Sequence, residues 1–265
     1  MNSILGVTID NFSKYEILQK VEFFLSENKL HQIATINPEF ILQAQKDSEF
    51  KNILNTCDLR IVDGVGIWFA FLRFGSFLKN RMTGIDLMLD ILRIANEKKL
   101  RIFLVSYTGA LSSWEETKDA IAKIYPNLEV DGEAISNLEF LISNQTKISN
   151  DLMYKKISNS KLEHSKFIQN SEFKIQNSDI VFCALGSPLQ EKFLHSLKSR
   201  ENAKIKLAMG VGGSFDFLTG KRQRAPKFLQ KVGLEWLWRF VQEPRYRAKR
   251  IFRAVVIFPI KVIFN

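Results

Sequence analysis

Cysteine and histidine are scarce in this chain. Only two cysteines, Cys57 and Cys183, occur among its 265 residues, and they lie far apart, each within an apolar stretch. This pattern gives little support to a disulfide framework or a zinc cluster, and a reducing cytoplasm fits it best. The three histidines, His31, His164 and His195, lack the spacing of a metal site or of a nucleophile–base pair. We therefore expect no bound metal.

Long apolar segments and nucleotide-binding fingerprints are also missing. No segment reaches the roughly 18 apolar residues of a membrane-spanning helix, and the N-terminal sequence lacks the basic and apolar regions of a signal peptide. Neither the G-x-G-x-x-G fingerprint nor a P-loop occurs, which argues against a nicotinamide-dependent enzyme. An Asp-x-Asp pair, which holds a divalent ion in many nucleotide-sugar enzymes, is absent too. These absences favour chemistry without a metal or another cofactor.

The positive charge is unevenly distributed. The net charge is +10, yet the chain before Lys221 is formally neutral, with 26 basic and 26 acidic residues, whereas the remainder has 12 basic and 2 acidic residues. This tail also contains several large aromatic residues, a mixture suited to anionic lipid head groups or, less specifically, to nucleic acid. We predict an α/β domain over residues 1–220 and a basic amphipathic helical appendage over residues 221–265.

Short apolar runs alternate with helical patterns along the first part of the chain. This alternation predicts an α/β fold, with a Rossmann-like, mainly parallel sheet flanked by helices. The predicted strands are Gln32–Ile36, Leu59–Val62, Arg101–Ser106, Asp179–Leu185 and Lys204–Met209. Ligands of such sheets bind beyond the carboxyl ends of the strands. The segments expected at that edge are Thr35-Ile36-Asn37, Asp63-Gly64, Ser106–Gly109, Gly186-Ser187-Pro188 and Gly210–Gly213.

Two stretches depart from this alternation. Residues 135–178 are rich in Asn, Ser and Lys, and we interpret part of them as a solvated insertion with weak helices. In the tail, apolar residues recur at helical spacing from Pro226 to Val241, which predicts one helix that ends at Glu243-Pro244. A second basic helix is predicted over Tyr246–Phe258, up to Pro259.

Polar residues at the predicted strand ends have two interpretations each. Asp63 follows a buried strand and could accept a proton from an attacking hydroxyl, but an isolated Asp-Gly is more often a turn or a helix cap. Asn37 precedes Pro38 and is equally suited to cap a helix. The spacing of Thr83 and Asp86 resembles a capping box.

Other candidates could contact phosphate or sugar. The glycines of Gly210–Gly213 could bring backbone N–H groups close to a phosphate. Gln190 and Glu191 stand in the first turn of a predicted helix, where they could contact ligand hydroxyls or simply complement the helix dipole. Arginine binds diphosphates through planar bidentate contacts, although most arginines lie on a solvated surface. The arginines considered are Arg81, Arg222 and Arg224.

The order of these motifs resembles the WecG/TagA/CpsF family, glycosyltransferase family 26. The resemblance covers nearly the whole chain. It rests on Thr35–Phe40, Asp63–Gly66, Arg81–Asp86, Ala184–Glu191, Gly210–Phe217, Arg224–Pro226, Leu234–Trp236 and Arg239–Arg245. Two departures are the long stretch 135–178 and Ser106–Gly109, which replaces a more Gly-rich loop. The second departure affects the identity of the sugar more than the type of reaction.

The resemblance implies an inverting, metal-independent transfer of N-acetylmannosamine, its uronic acid or glucose. The donor would be a UDP-sugar and the acceptor an undecaprenyl-diphosphate-linked saccharide, in cell-surface polysaccharide or teichoic-acid-type biosynthesis. Asp63 would be the general base and Arg81 would assist the departing UDP. Thr35 and Asn37 would position the donor sugar, and Gln190 with Glu191 would line the nucleotide side. Further expected substrate contacts are Gly64, Thr83, Gly84, Asp86, Gly186, Gly212, Gly213, Arg222 and Arg224.

For the tail, the resemblance implies attachment to an anionic membrane surface, on the inner face of the cytoplasmic membrane. The residues expected at that surface are Trp236, Trp238, Arg245, Arg247, Arg250 and Arg253. Nucleic acid is not an expected partner, and association into homo-oligomers is left open. The main alternative is a non-enzymatic peripheral membrane or nucleic-acid-binding protein. Only an enzyme would release UDP in a manner that depends on Asp63.

Overall fold

The computed structural model describes residues 3–136, 175–199 and 204–264. Among these residues the strands are β1 (Ser3–Ile4), β2 (Val7–Thr8), β3 (His31–Ile36), β4 (Leu59–Val62), β5 (Ile102–Tyr107), β6 (Val130–Ile135), β7 (Ile180–Cys183) and β8 (Leu207–Gly210). The helices of the body are α1 (Lys14–Ser26), α2 (Pro38–Ala44), α3 (Ser48–Thr56), α4 (Val65–Arg73), α5 (Gly84–Lys98), α6 (Trp114–Ile124), α7 (Leu189–Ser196) and α8 (Ser214–Leu218). Those of the appendage are α9 (Lys227–Lys231), α10 (Glu235–Gln242), α11 (Pro244–Phe252) and α12 (Phe258–Ile263). None of the helices in these ranges is long and apolar enough to cross a bilayer.

Six strands form one parallel sheet in the order β4-β3-β8-β7-β5-β6, while β1 and β2 make a small antiparallel hairpin. The predicted parallel α/β fold is confirmed, and all five predicted strands are present with ends shifted by no more than three residues. The sheet also contains β6, which was not predicted. Its sequence, VDGEAI, contains Gly132 and two acidic residues. Such residues are tolerated there because β6 is an edge strand that is only half-buried.

Helices cover both faces of the sheet. Alternate residues of a strand point to opposite faces: Ile33 of β3 belongs to the same apolar cluster as residues of α1 and α5, whereas Ala34 belongs to the cluster that contains residues of α2 and α4. Central strands covered in this way are buried on both sides, and every residue of β3, β7 and β8 is buried, including the polar residues His31, Gln32 and Thr35 of β3. The polar segments that follow these strands therefore meet at one edge.

Two of the predicted helix caps are confirmed. The side-chain oxygen of Asn37 accepts hydrogen bonds from the backbone N–H groups of Glu39 and Phe40, at 2.9 and 3.1 Å, at the start of α2. Thr83 accepts from the backbone N–H of Asp86 at 3.4 Å at the start of α5, and donates to the Asp86 carboxylate at 2.5 Å. Because these contacts satisfy N–H groups that a helix start leaves unpaired, they hold the two loops at the sheet edge in place.

The appendage differs from its predicted form in two places. The prediction of a single helix over Pro226–Val241 is wrong. The helical conformation is interrupted at Gly233, where φ is +79°, so that α9 and α10 are separate helices. The predicted end at Pro259 is also wrong. A π-helical turn, Arg253–Ile257, leads from α11 into α12, and proline is tolerated in the first turn of α12, where its missing N–H needs no partner.

The last helix folds back onto the body. Phe258 is 0% exposed and packs with Ile67 and Phe71 of α4. The boundary predicted at residue 220 stays a prediction, and the insertion predicted over 135–178 falls almost entirely outside the described residues. The appendage and α4 thus share one apolar cluster, which places the tail beside the carboxyl edge of the sheet.

Candidate active site

Two cavities meet at Asp63, directly after β4. One has a volume of about 360 Å³ and is called the polar cavity; the other, of about 550 Å³, is called the apolar cavity. Both are lined by Asn37, Asp63, Thr83, Arg239, Arg247 and Arg250. A group bound in either cavity therefore lies against the Asp63 carboxylate and against the arginines of the appendage.

The polar cavity is built from the loops that follow the central strands. Its walls include Thr35, Gly84, Gly186, Gln190, Gly212, Gly213 and Arg222, all of which were predicted as substrate contacts. These residues come from segments that are up to 187 positions apart in the chain. They converge because the carboxyl ends of parallel strands share one edge of the sheet.

Gln190 connects the loop after β7 to the loop after β8. Its side-chain oxygen accepts a hydrogen bond from the backbone N–H of Gly212 at 3.1 Å, so that this N–H is already occupied. Its amide nitrogen donates to Glu191 at 2.6 Å. Glu191 is 2% exposed, and burial raises the pKa of its carboxyl to about 7. Glu191 lines neither cavity, and its side chain orients Gln190.

The packing around Gln190 requires a glycine at the end of β8. A Cβ atom on Gly210 would lie 2.5 Å from the side-chain nitrogen of Gln190 and 2.8 Å from Glu191 Oε1. Gly212 has φ of +50°, in the left-handed region that glycine adopts most readily. The glycines of this loop therefore allow a close approach of backbone to side chain.

Asp63 lies where the ends of β4 and β3 meet, and its carboxyl has a raised pKa. Its backbone N–H donates to the carbonyl of Ile36 at 2.8 Å, which joins the ends of β4 and β3. Burial raises the pKa of its carboxyl to about 6, the cations of Arg239 and Arg81 oppose this shift, and Glu235 reinforces it. A carboxylate with this pKa is mostly ionised at neutral pH and is a stronger base than an exposed aspartate.

A chain of ion pairs joins the appendage to the body next to Asp63. Arg224 contacts Asp86 at 2.6 and 3.3 Å, and lies 3.9 Å from one oxygen of Glu235. The other oxygen of Glu235 accepts from Arg239 at 2.7 Å. Although burial opposes the effect, hydrogen bonds from Arg224 and Thr83 hold the pKa of Asp86 below its ordinary value. Asp86 and Arg224 line neither cavity, and they fasten the appendage.

Four arginines face the polar cavity, and each contacts a carboxylate. Arg222 contacts Asp216 at 3.0 Å and Glu243 at 2.6 Å. The remaining ion pairs are Arg247–Glu243 at 2.8 Å, Arg250–Glu39 at 2.5 Å and Arg239–Glu235 at 2.7 Å. Arg239 and Glu235 were not predicted as site residues. Their opposite charges four residues apart on an amphipathic helix were the available signal, but this pattern is common on solvated helices.

The apolar cavity lies between α4 and the appendage. Its apolar walls include Val65, Trp68, Phe69, Trp236, Ile251, Val255 and Pro259. Gly64 and Arg81 also line this cavity, and Arg81 donates to the backbone carbonyl of Gln230 at 2.5 Å. Arg81, which was predicted to assist the departing UDP, thus lies on the side of Asp63 away from the loop Gly210–Gly213.

The residues predicted at a membrane surface have different positions. Trp236 lines the apolar cavity, and Arg247 and Arg250 line both cavities. Arg245 is exposed, whereas Trp238 and Arg253 are half-buried, and these three residues line neither cavity. Within the part of the chain that the structure describes, no group of three or more His, Cys, Asp or Glu side chains could hold a metal ion.

Several known proteins resemble this chain over most of its length. The model of the glycosyl transferase WecG/TagA/CpsF family matches residues 2–265. A Bacillus subtilis protein is 31% identical over 254 residues, which cover 95% of this chain and 83% of the relative. A Bacillus spizizenii protein is 30% identical over 221 residues, which cover 83% of this chain and 75% of the relative. A protein from Staphylococcus aureus (strain MW2) is 26% identical over 263 residues, which cover 98% of this chain and 91% of the relative. All three are named N-acetylglucosaminyldiphosphoundecaprenol N-acetyl-beta-D-mannosaminyltransferase.

Proposed function

Because the chain belongs to the WecG/TagA/CpsF family of glycosyltransferases, we propose that it transfers a sugar from a UDP-sugar to a saccharide linked to undecaprenyl diphosphate. The names of the relatives favour N-acetylmannosamine as that sugar, with glucose as the alternative. The observation that carries the proposal is the position of Asp63 between a polar cavity and an apolar cavity. A sugar nucleotide and a lipid-linked saccharide need two such environments on either side of one base.

We place the donor in the polar cavity. Its position beyond the carboxyl ends of the strands is usual for nucleotides, and its volume of about 360 Å³ is in the range of small-molecule pockets. Arg222, Arg239, Arg247 and Arg250 supply positive charge for a diphosphate. The oxygen of Asn37 is committed to the cap of α2, so its amide nitrogen is the group that can donate to a sugar hydroxyl.

We place the lipid-linked acceptor in the apolar cavity. Its walls of Trp68, Phe69, Trp236 and Val255 suit the first prenyl units of the lipid. Arg81, which lines the apolar cavity and not the polar cavity, suits the acceptor diphosphate. In this arrangement the acceptor hydroxyl reaches Asp63 from the side opposite to the donor.

The reaction that follows is a direct displacement. The acceptor oxygen attacks the anomeric carbon as its proton passes to Asp63, and the bond from that carbon to the UDP oxygen breaks with its electron pair leaving on UDP. Attack from the side opposite to the leaving group inverts the anomeric configuration. Arginines held in place by carboxylates stabilise the charge that develops on the diphosphate without reorganising, which lowers the barrier selectively.

The proposed acceptor also implies where in the cell the reaction takes place. A prenyl diphosphate with a long chain stays in a bilayer, so we propose that the enzyme works as a peripheral protein on the inner face of the cytoplasmic membrane. The 12 basic residues of the appendage support attraction to an anionic leaflet, with about 1 kcal/mol for each cation near the surface. The product would serve a cell-surface polysaccharide or a teichoic-acid-type polymer.

The test is UDP release from a panel of UDP-sugars with a short-chain prenyl-diphosphate-GlcNAc acceptor, with and without EDTA. We expect acceptor-dependent, EDTA-resistant release that falls by about 10²-fold or more in Asp63→Asn. Asp119→Asn, on the exposed side of α6, is the matched control. Vesicle binding without release for any donor would favour the alternative, a non-enzymatic membrane protein, while unchanged release in Asp63→Asn would leave the transferase and remove its base.

A further inference from the structure

Two segments that are distant in the sequence lack acidic residues altogether. Residues 64–85 and 244–265 together contain nine Lys or Arg and no Asp or Glu. The structure brings described parts of both segments side by side, because α12 packs on α4 and buries Phe258 against Ile67 and Phe71. One surface of the molecule is therefore formed jointly by the body and by the appendage.

This surface exposes many large apolar side chains, and we call it the apolar face. On α4 the exposed residue Leu72 lies four positions after Trp68 and three after Phe69, which puts it on the same side of the helix as both. Phe74, after α4, and Val262 of α12 line one further cavity of about 520 Å³. The face also includes Phe252, Val255, Val256, Ile260, Ile263 and Phe264.

The apolar face continues into the apolar cavity. Trp68, Phe69 and Val255 belong to both, so the apolar side chains of the exposed surface continue into the wall of the cavity that reaches Asp63. Exposed apolar side chains that are interspersed with Lys and Arg, and not with Asp or Glu, are typical of surfaces that enter an anionic lipid interface. A second copy docked on the same face would bring like charges together, which disfavours self-association.

We propose that α4 and residues 244–264 together form a surface that enters the interface of an anionic bilayer. The body of the protein thereby contacts the lipid directly, in addition to the basic appendage. This inference rests on the proposed function for its purpose, because the prenyl chain of the acceptor would then enter the apolar cavity from the bilayer without crossing water. The binding itself can be measured independently of the reaction.

The experiment compares two double variants that remove similar apolar surface. Leu72→Ser/Phe74→Ser removes side chains that are 40% and 45% exposed on the apolar face and that do not line the apolar cavity. Phe23→Ser/Ile124→Ser removes side chains that are 57% and 56% exposed on α1 and α6, which cover the opposite face of the sheet. Sedimentation with phosphatidylglycerol–phosphatidylcholine vesicles measures how strongly each variant partitions.

We expect Leu72→Ser/Phe74→Ser to bind vesicles about tenfold more weakly than the wild type, and Phe23→Ser/Ile124→Ser to bind unchanged. All variants should release UDP normally with the short-chain acceptor in detergent-free solution. Equal vesicle binding by both double variants would overturn the proposal. Loss of a dimer in analytical ultracentrifugation, with vesicle binding unchanged, would instead identify a second copy as the occupant of the face.

A second measurement does not depend on the serine variants. Brominated lipids quench tryptophans that enter the bilayer, and the contribution of Trp68 is the difference between the wild type and Trp68→Phe. We expect strong quenching of that contribution, and its absence would contradict the proposal. If the wild type binds vesicles but releases no UDP from any donor, the proposed function fails while the membrane surface stands.

Discussion

Arg224 of the appendage pairs with Asp86 of the body through nitrogen–oxygen distances of 2.6 and 3.3 Å. Asp86 also accepts from Thr83, the cap of α5, while Arg224 lies 3.9 Å from Glu235. Because Glu235 in turn holds Arg239 against both cavities, this pair connects the sheet edge to the arginines of the site. Removal of either Arg224 or Asp86 should therefore both weaken the attachment of the appendage to the body and lower the rate of UDP release.

Arg224→Ala should destabilise the appendage by about 1 kcal/mol, a small value because the Asp86 carboxylate is partly exposed and solvent screens the pair. Limited proteolysis should cut the variant faster after residue 220, and UDP release should fall. Arg93→Ala removes an exposed pair with Glu97 and is the control, with no expected change in either measurement. Equal proteolysis of the two variants would show that the pair does not fasten the appendage.

Activity should depend on the ionisation of Asp63. A general base works only when deprotonated, and the pKa of Asp63 is raised to about 6. We expect kcat/KM for UDP release to fall about tenfold for each pH unit below 6 and to level off above it. A pH–rate profile between 5 and 8 tests this expectation. A profile that is flat from pH 5 to 7 would contradict it.

Glu235→Gln should move that profile. Its carboxylate is 5% exposed and raises the pKa of Asp63, which also faces Arg239, Arg81 and Arg224. Loss of the negative charge should shift the acid limb of kcat/KM to lower pH, whereas a purely structural defect would lower activity equally at every pH.

Glu243→Gln is the matched control for Glu235→Gln. Glu243 also pairs with arginines of the appendage, but it lines neither cavity. The acid limb of its kcat/KM profile should stay in place. A common shift in both variants would mean that general electrostatics of the appendage, and not the position of Glu235, set the pKa of Asp63.

Glu191→Gln should change how stability depends on pH. The carboxyl of Glu191 has its pKa raised to about 7 by burial, so between its unfolded value of 4.5 and 7 the folded protein binds more protons than the unfolded chain. Stability of the wild type should therefore fall as pH rises through this window, by about 1–3 kcal/mol. The amide cannot ionise, so the thermal midpoint of the variant should fall less between pH 5 and 8. Parallel curves would contradict the assignment.

Phe258→Ala tests the docking of the last helix. This side chain is 0% exposed among Ile67 and Phe71, and its removal leaves a cavity that should cost about 3–5 kcal/mol. Phe264→Ala, at a position that is 84% exposed, should cost almost nothing. Urea unfolding measures both changes. Similar midpoints for the two variants would show that α12 contributes little to the fold.

Much of the candidate site was predictable because it depends on local rules. Asp63 and Asn37 directly follow strands and Thr35 is the last residue but one of β3, and in a parallel sheet such positions share the carboxyl edge. The caps at Asn37 and Thr83 depend on contacts within three residues of the chain. The strand β6 was missed because an edge strand needs no continuous apolar run.

The sequence by itself determined the parallel α/β fold, its polar edge and the basic character of the tail, since periodicity and composition are local properties. Only the tertiary structure decided that Glu235 and Arg239 face Asp63, that Trp236 lines a cavity, and that α4 and the appendage enclose it. These relationships join residues about 170 positions apart. They follow from burial of Phe258 against α4 and from the pairing of Arg224 with Asp86, which no local pattern encodes.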